Sequence, residues 1–218
     1  MKVKSIPVYS IGEEIANAVI HGVGALGATA GLVLLALKNG GILGGQRAGS
    51  LDIAVAIIFS STMIGMFLMS TLYHAIQRQG VKKVFYKLDH SFIYVLIAGT
   101  YTPVCLSGIG GAWGWALFGT QWALALLGII FNCIDFKMLR KLELILYILM
   151  GWMIVIGFIP LIRSVAMATI VFIFIGGLIY TLGTVFYRKK HIRFIHAIWH
   201  AFVIIGALCH WFAVWHLH

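Results

Sequence analysis

The sequence predicts an all-α integral membrane protein: a bundle of seven transmembrane helices with a cytoplasmic N-terminus and an external C-terminus. Three observations predict it. Of the 218 residues, 61% are hydrophobic and only 10% are charged, where a soluble globular domain carries about 25% charged residues. The apolar residues fall into seven runs, each close to the roughly 20 residues that a helix needs to cross a bilayer. The basic residues collect in every second connection between those runs.

The runs cover residues 14–37, 51–75, 88–107, 111–133, 142–160, 164–187 and 194–215. Helix is the expected conformation because a segment in lipid must satisfy its backbone hydrogen bonds internally. Barrel strands would alternate polar and apolar residues, and these runs do not. The connections are short, so residues 1–218 are expected to form one membrane domain. Pro103 lies inside the third run, where it removes a backbone donor and is expected to bend the helix. Gly24, Gly27 and Gly31 share one helix face, as do Gly176 and Gly183, and small residues let membrane helices approach closely. Glu13 and Glu14 precede the first run where a signal peptide would be positive, so that run is expected to be retained.

The net charge of +10 orients the chain rather than marking a nucleic-acid partner, since Lys and Arg lie in short loops between apolar runs. With the N-terminus inside, the cytoplasmic segments hold Lys2, Lys4, Arg78, Lys82, Lys83, Lys87, Lys137, Arg140, Lys141, Arg188, Lys189, Lys190 and Arg193. The outer segments hold only Lys38, Arg47 and Arg163. Positive residues favour the cytoplasmic side. The cysteines, Cys105, Cys133 and Cys209, are odd in number and form no CxxC pair, so packing is expected rather than a disulfide framework.

Ionisable residues inside a membrane are expensive, and each one points to function. His74 closes the second run, Asp89 opens the third, and His196 and His200 open the seventh, all at the end of the bundle assigned to the cytoplasm. Ser70 and His74 stand four residues apart, as do His196 and His200, so each pair shares a helix face. Two histidines one turn apart form half of a zinc site, and a third nitrogen would complete a site with an open position. Asp89 would then hold a water or take its proton, and Ser70 would orient a ligand. The competing reading makes each histidine an interfacial anchor or a helix-contact residue. Glu14, Asn17 and His21, with Glu13 beside them, form a polar stripe on the first span. It either lines a cavity and supports a metal from outside its ligand shell or is an interhelical hydrogen-bond strip. His90 is expected to point about 100° away from Asp89, His191 to be solvated, His210 to bond within the bundle, and His216 and His218 to lie at the outer terminus.

The stretches Glu13-Glu14-Ile15-Ala16-Asn17 with His21, Ser70-Thr71-Leu72-Tyr73-His74, Asp89-His90-Ser91-Phe92-Ile93 running into Ala98-Gly99-Thr100-Tyr101-Thr102-Pro103, and His196-Ala197-Ile198-Trp199-His200 resemble the hemolysin III branch of the progestin and adipoQ receptor family. That family includes the adiponectin receptors and is grouped with alkaline ceramidases among metal-dependent membrane hydrolases. The resemblance runs over essentially the whole chain. It implies a multi-pass protein of the bacterial plasma membrane, with Zn2+ held by His74, His196 and His200 near the cytoplasmic side. It also implies Asp89 as the residue associated with metal-bound water and Ser70 as the family serine. The long N-terminal region of the adiponectin receptors has no counterpart, so hormone binding does not carry over.

Three functions compete. The first is a zinc-dependent hydrolase of a lipid amide or ester, with Asp89 as general base and membrane lipids as partners, serving lipid homeostasis. The second is a non-catalytic sensor of membrane state with structural zinc. The third is a hemolysin-type pore, which the scarcity of charge along the spans argues against for a single chain.

Overall fold

A computed structural model describes residues 7–43, 47–134, 142–189 and 192–217. Lys2, Lys4, Lys137, Arg140, Lys141 and Lys190 of the charge count, with His191 and His218, lie outside them. The described residues are helical throughout their ordered elements, and no strand occurs among them. The helices are α1 (Ile11–Asn39), α2 (Ser50–Ala75), α3 (Gln79–Pro103), α4 (Gly111–Cys133), α5 (Glu143–Gly151), α6 (Phe158–Ser164), α7 (Met167–Arg188) and α8 (Ile195–Trp215). Six are long and apolar enough to cross a membrane: α1, α2, α3 with its continuation, α4, α7 and α8. The bent pair α5–α6 makes a seventh if it counts as one span.

The packing is inside out relative to a soluble protein. On α1 the buried face carries Glu14, Asn17, His21, Gly24, Ala28 and Gly31, while Val19, Val23 and Leu26 are 57%, 62% and 73% exposed. Water would penalise that exposed apolar face, whereas lipid does not, and the polar stripe finds its partners within the bundle. α1 packs on α2 and α8, α2 on α3, α3 on α4, and α7 on α8. The main core joins Phe59, Met63, Phe67, Leu96 and Val203.

Small residues set the closest approaches. A Cβ on Gly99 of α3 would stand 2.0 Å from Thr62 Oγ1 of α2. Gly24 and Gly31 meet Phe67 and Trp211, and Gly176 and Gly183 meet His210 and Trp199. Gly27 departs from the expected pattern: nothing lies within 4 Å of its would-be Cβ. Three residues advance a helix by 300° rather than a full turn, which swings Gly27 off the Gly24–Gly31 face. At the start of α4, Gly110 and Gly111 adopt φ of +64° and +54°, positive values that glycine adopts without steric cost.

Three expectations change. The third helix begins at Gln79, nine residues before the apolar run, because a helix continues into the interface where charged side chains end the hydrophobic count. Its far end passes through Pro103 into a π-helical turn, Val104–Ile109; proline cannot donate to the α-helical ladder, and the wider turn follows it. The fifth run, expected as one helix, is broken by 53° between α5 and α6. Backbone freed at that break finds partners: Tyr101 Oη donates to Gly151 O at 2.8 Å and accepts from Ile154 N–H at 2.7 Å. Gln121 Nε2 donates to Met150 O at 2.7 Å. A break at membrane depth is tolerated when such partners are supplied.

Candidate metal centre

The centre lies at the end of the bundle where α1, α3 and α8 begin and α2 ends. His74 is the penultimate residue of α2, and His196 and His200 occupy the first turns of α8. The turn into α8 is unusual, since Phe194 has φ of +59° without being glycine. Its N–H donates to Glu13 Oε1 at 2.9 Å, which ties this turn to the start of α1 and fixes where α8 presents its histidines.

His74, His196 and His200 form a group whose ligand nitrogens all lie within 4.8 Å of one another, His74 and His200 being buried and His196 half-buried. His74 Nε2 and His200 Nε2 are 3.2 Å apart. Two nitrogens bound tetrahedrally to zinc at about 2.0–2.1 Å stand roughly 3.4 Å apart, so the pair is spaced for one small cation.

Glu14 decides which nitrogen of His74 faces that cation. Its Oε2 lies 2.6 Å from His74 Nδ1; a carboxylate there accepts the Nδ1 proton and leaves the Nε2 lone pair free. Carboxylate partners of this kind commonly orient histidines that bind metals. The other oxygen, Oε1, accepts from Lys82 Nζ at 2.6 Å. Asn17 Nδ2 borders the same His74 nitrogen at 3.5 Å. Tyr9 stacks on His196 with ring centroids 5.1 Å apart. Burial, with the Asp89, Glu14 and Glu13 carboxylates, raises its phenol above the usual range, so the hydroxyl keeps its proton.

Six buried polar atoms around the group, Asn17 Oδ1, both ring nitrogens of His21, Ser70 Oγ, Tyr73 Oη and His200 Nδ1, have no hydrogen-bond partner among the described residues. Each such atom costs about 1–3 kcal/mol if left bare. Their concentration beside three convergent imidazoles is what a site for an ion, its water and a polar ligand requires. The donor set fits a borderline divalent metal such as zinc.

The remaining sequence-derived residues divide. Asp89 is buried and outside the three-nitrogen group, its Oδ2 being 3.4 Å from His90 Nδ1. His90, although next in sequence, bends its ring back to Asp89 and to Tyr86 O at 3.0 Å. His21 is fully buried and edge-on to His200, with centroids 3.8 Å apart. Glu13 corrects the expected polar stripe. It turns away from the histidines and accepts from Ser10 N–H at 3.0 Å as well as from Phe194, because adjacent helical residues point about 100° apart. His210 stacks on Tyr180, but its Nδ1 has no hydrogen-bond partner among the described residues. Lys82 and Tyr9 were not among the expected site residues. Lys82 shares a helix face with Tyr86 and Asp89, a spacing visible only once α3 is known to begin at Gln79.

These features define a helical membrane bundle with a histidine group able to hold a metal ion at one end. A family profile described as "Haemolysin-III related" matches residues 9–211, and the chain belongs to that family. It is 41% identical over 206 residues to the "Hemolysin-3 homolog" of Bacillus subtilis (strain 168), covering 94% of both chains. It is 38% identical to "Hemolysin-3" of Bacillus cereus, covering 93% of this chain and 90% of the relative. The human "Monocyte to macrophage differentiation factor" is 28% identical over 170 residues, covering 73% and 68%, and carries the relationship into the progestin and adipoQ receptor family.

Proposed function

We propose that the chain is a zinc-dependent hydrolase of a lipid amide or ester, acting at the cytoplasmic side of a bacterial plasma membrane and serving lipid homeostasis. The observation that carries this reading is the three-nitrogen group with two buried carboxylates outside it: Glu14, taken up by His74 and Lys82, and Asp89, which is bound to neither. Zinc on those nitrogens would supply Lewis acidity toward a carbonyl and lower the pKa of a bound water to about 7. Asp89 takes the proton of the attacking water on its carboxylate and returns it to the departing amine or alcohol. Ser70 donates its hydroxyl to the substrate's polar head. Glu14 keeps the His74 proton on Nδ1.

An apolar cavity of about 100 Å³ lies between α2, α3, α5, α7 and α8, its wall including Met66, Leu96, Tyr147, Trp199 and Val203. Trp199 stands between His196 and His200 in sequence, so a segment of acyl chain in the cavity would have its head close to the histidine helix. The cytoplasmic assignment rests on the thirteen basic residues counted there against three opposite.

The deciding experiment incubates purified, zinc-loaded protein with ceramides and with glycerolipid esters. Wild type is expected to release fatty acid at least about 100-fold faster than Asp89→Ala at equal zinc content. Equal release by the two zinc-loaded proteins would overturn the hydrolase reading. The sensor reading draws on a different observation, that the histidines and the Glu14 contacts join α1, α2, α3 and α8 at one end. It gains if chelation lowers stability while no lipid is turned over.

A further inference from the structure

We propose that Lys82 is a positioning residue of the metal centre, its ammonium holding one oxygen of Glu14 so that the other stays on His74 Nδ1. The proposal rests on the reading of His74, His196 and His200 as metal ligands. Lys82 is the fourth residue of α3 and only 4% exposed, whereas Lys83 beside it is exposed. A lysine in the first turn of a membrane helix can extend its charge to the interface at little cost. Lys82 instead turns inward, its Nζ 2.6 Å from Glu14 Oε1 and 5.2 Å from the centre of the Tyr73 ring. Burying an ammonium costs several kcal/mol unless it is paired and hydrogen-bonded, and Glu14 provides that pairing.

The geometry makes the pairing directional. Glu14 has two oxygens and spends each on a different helix: Oε1 on Lys82 of α3, Oε2 on His74 of α2. A carboxylate held by one contact can swing about its last torsion, whereas two contacts at 2.6 Å fix its plane. With the plane fixed, Oε2 stays on Nδ1, and the His74 ring keeps Nε2 toward His200 Nε2, 3.2 Å away. The pairing also occupies Glu14, which stays an outer partner and does not enter the ligand set. Lys82 touches no ligand nitrogen and acts through Glu14.

The test measures zinc affinity of the full-length protein by chelator competition, together with the absorption spectrum of the Co2+-substituted form. Wild type should bind one zinc and His200→Ala none, a result that concerns the metal reading alone. Lys82→Met should weaken zinc binding about tenfold, at the lower end for outer-shell partners, and shift the Co2+ spectrum. Lys82→Arg should keep affinity within about threefold. Glu14→Gln should weaken binding, and adding Lys82→Met to it should cost nothing more, since a residue acting through Glu14 has no effect of its own once Glu14 is changed. Thermal unfolding of the metal-free proteins checks folding, and Lys82→Gln repeats the measurement if Lys82→Met does not fold. Wild-type affinity in Lys82→Met or Lys82→Gln, or a full additional loss in the double variant, would overturn the proposal. A wild type that binds no zinc would overturn the metal reading and the proposal with it.

Discussion

His74 Nε2 and His200 Nε2 lie 3.2 Å apart although 126 residues separate them in sequence. The contact closes α2 against α8 at one end of the bundle, and a cation between these nitrogens would bind the folded protein but not the unfolded chain. Zinc should therefore raise stability, by about 2.7 kcal/mol when free zinc is a hundredfold above its dissociation constant. Thermal unfolding in detergent, with and without a chelator, measures this. His200→Ala should unfold at the same temperature in both conditions.

Tyr101 serves the broken span. Its hydroxyl donates to Gly151 O and accepts from Ile154 N–H, so Tyr101→Phe removes both bonds and leaves the buried Ile154 N–H without this partner while preserving the ring. A loss of about 1–3 kcal/mol is expected, measured by equilibrium unfolding in mixed micelles. An unchanged midpoint would mean that the break finds other partners.

Gly99 lets α3 approach α2 at Thr62. Gly99→Leu has no space there, since even its Cβ would fall 2.0 Å from Thr62 Oγ1. Overpacking typically costs about 1–3 kcal/mol and occasionally more; here α2 and α3 must separate, and folded, monodisperse protein should be lost. Gly99→Ala combined with Thr62→Gly should recover part of the yield on size exclusion.

Cys133, exposed at the end of α4, and Cys105, buried, permit a test of orientation. In a Cys209→Ala background, a membrane-impermeant maleimide should label Cys133 in inverted vesicles and not in intact cells. Labelling of Cys133 from outside intact cells would reverse the assigned orientation. Cys105 should stay unlabelled in both preparations until the protein is denatured.

Much of this architecture was legible in the chain. Long apolar runs leave little choice besides helix in lipid, and the spacing of Ser70 with His74 and of His196 with His200 placed each pair on one face. Charge within a helix was less legible. The hydropathy count stops at Lys87, but the α3 backbone continues to Gln79, so Lys82 was counted as part of a loop. The local signs of a break in the fifth span are Gly151, Gly157 and Pro160, the last in the first turn of α6 where proline is tolerated. What satisfies the freed backbone is Tyr101, some fifty residues earlier. Glu13 and Glu14 look equivalent in sequence and differ only in the direction that helical rotation gives them.

By itself, the sequence determined the class of structure and the residues with metal-binding chemistry, because solvent preference and helical periodicity are local properties of a chain. Tertiary structure alone decided that three imidazoles from α2 and α8 meet, that Glu14 rather than Glu13 reaches His74, and that Lys82 lies buried behind it. Those facts depend on how helices rotate and approach one another. That, in turn, is set by packing across the whole bundle, as at Gly99 against Thr62.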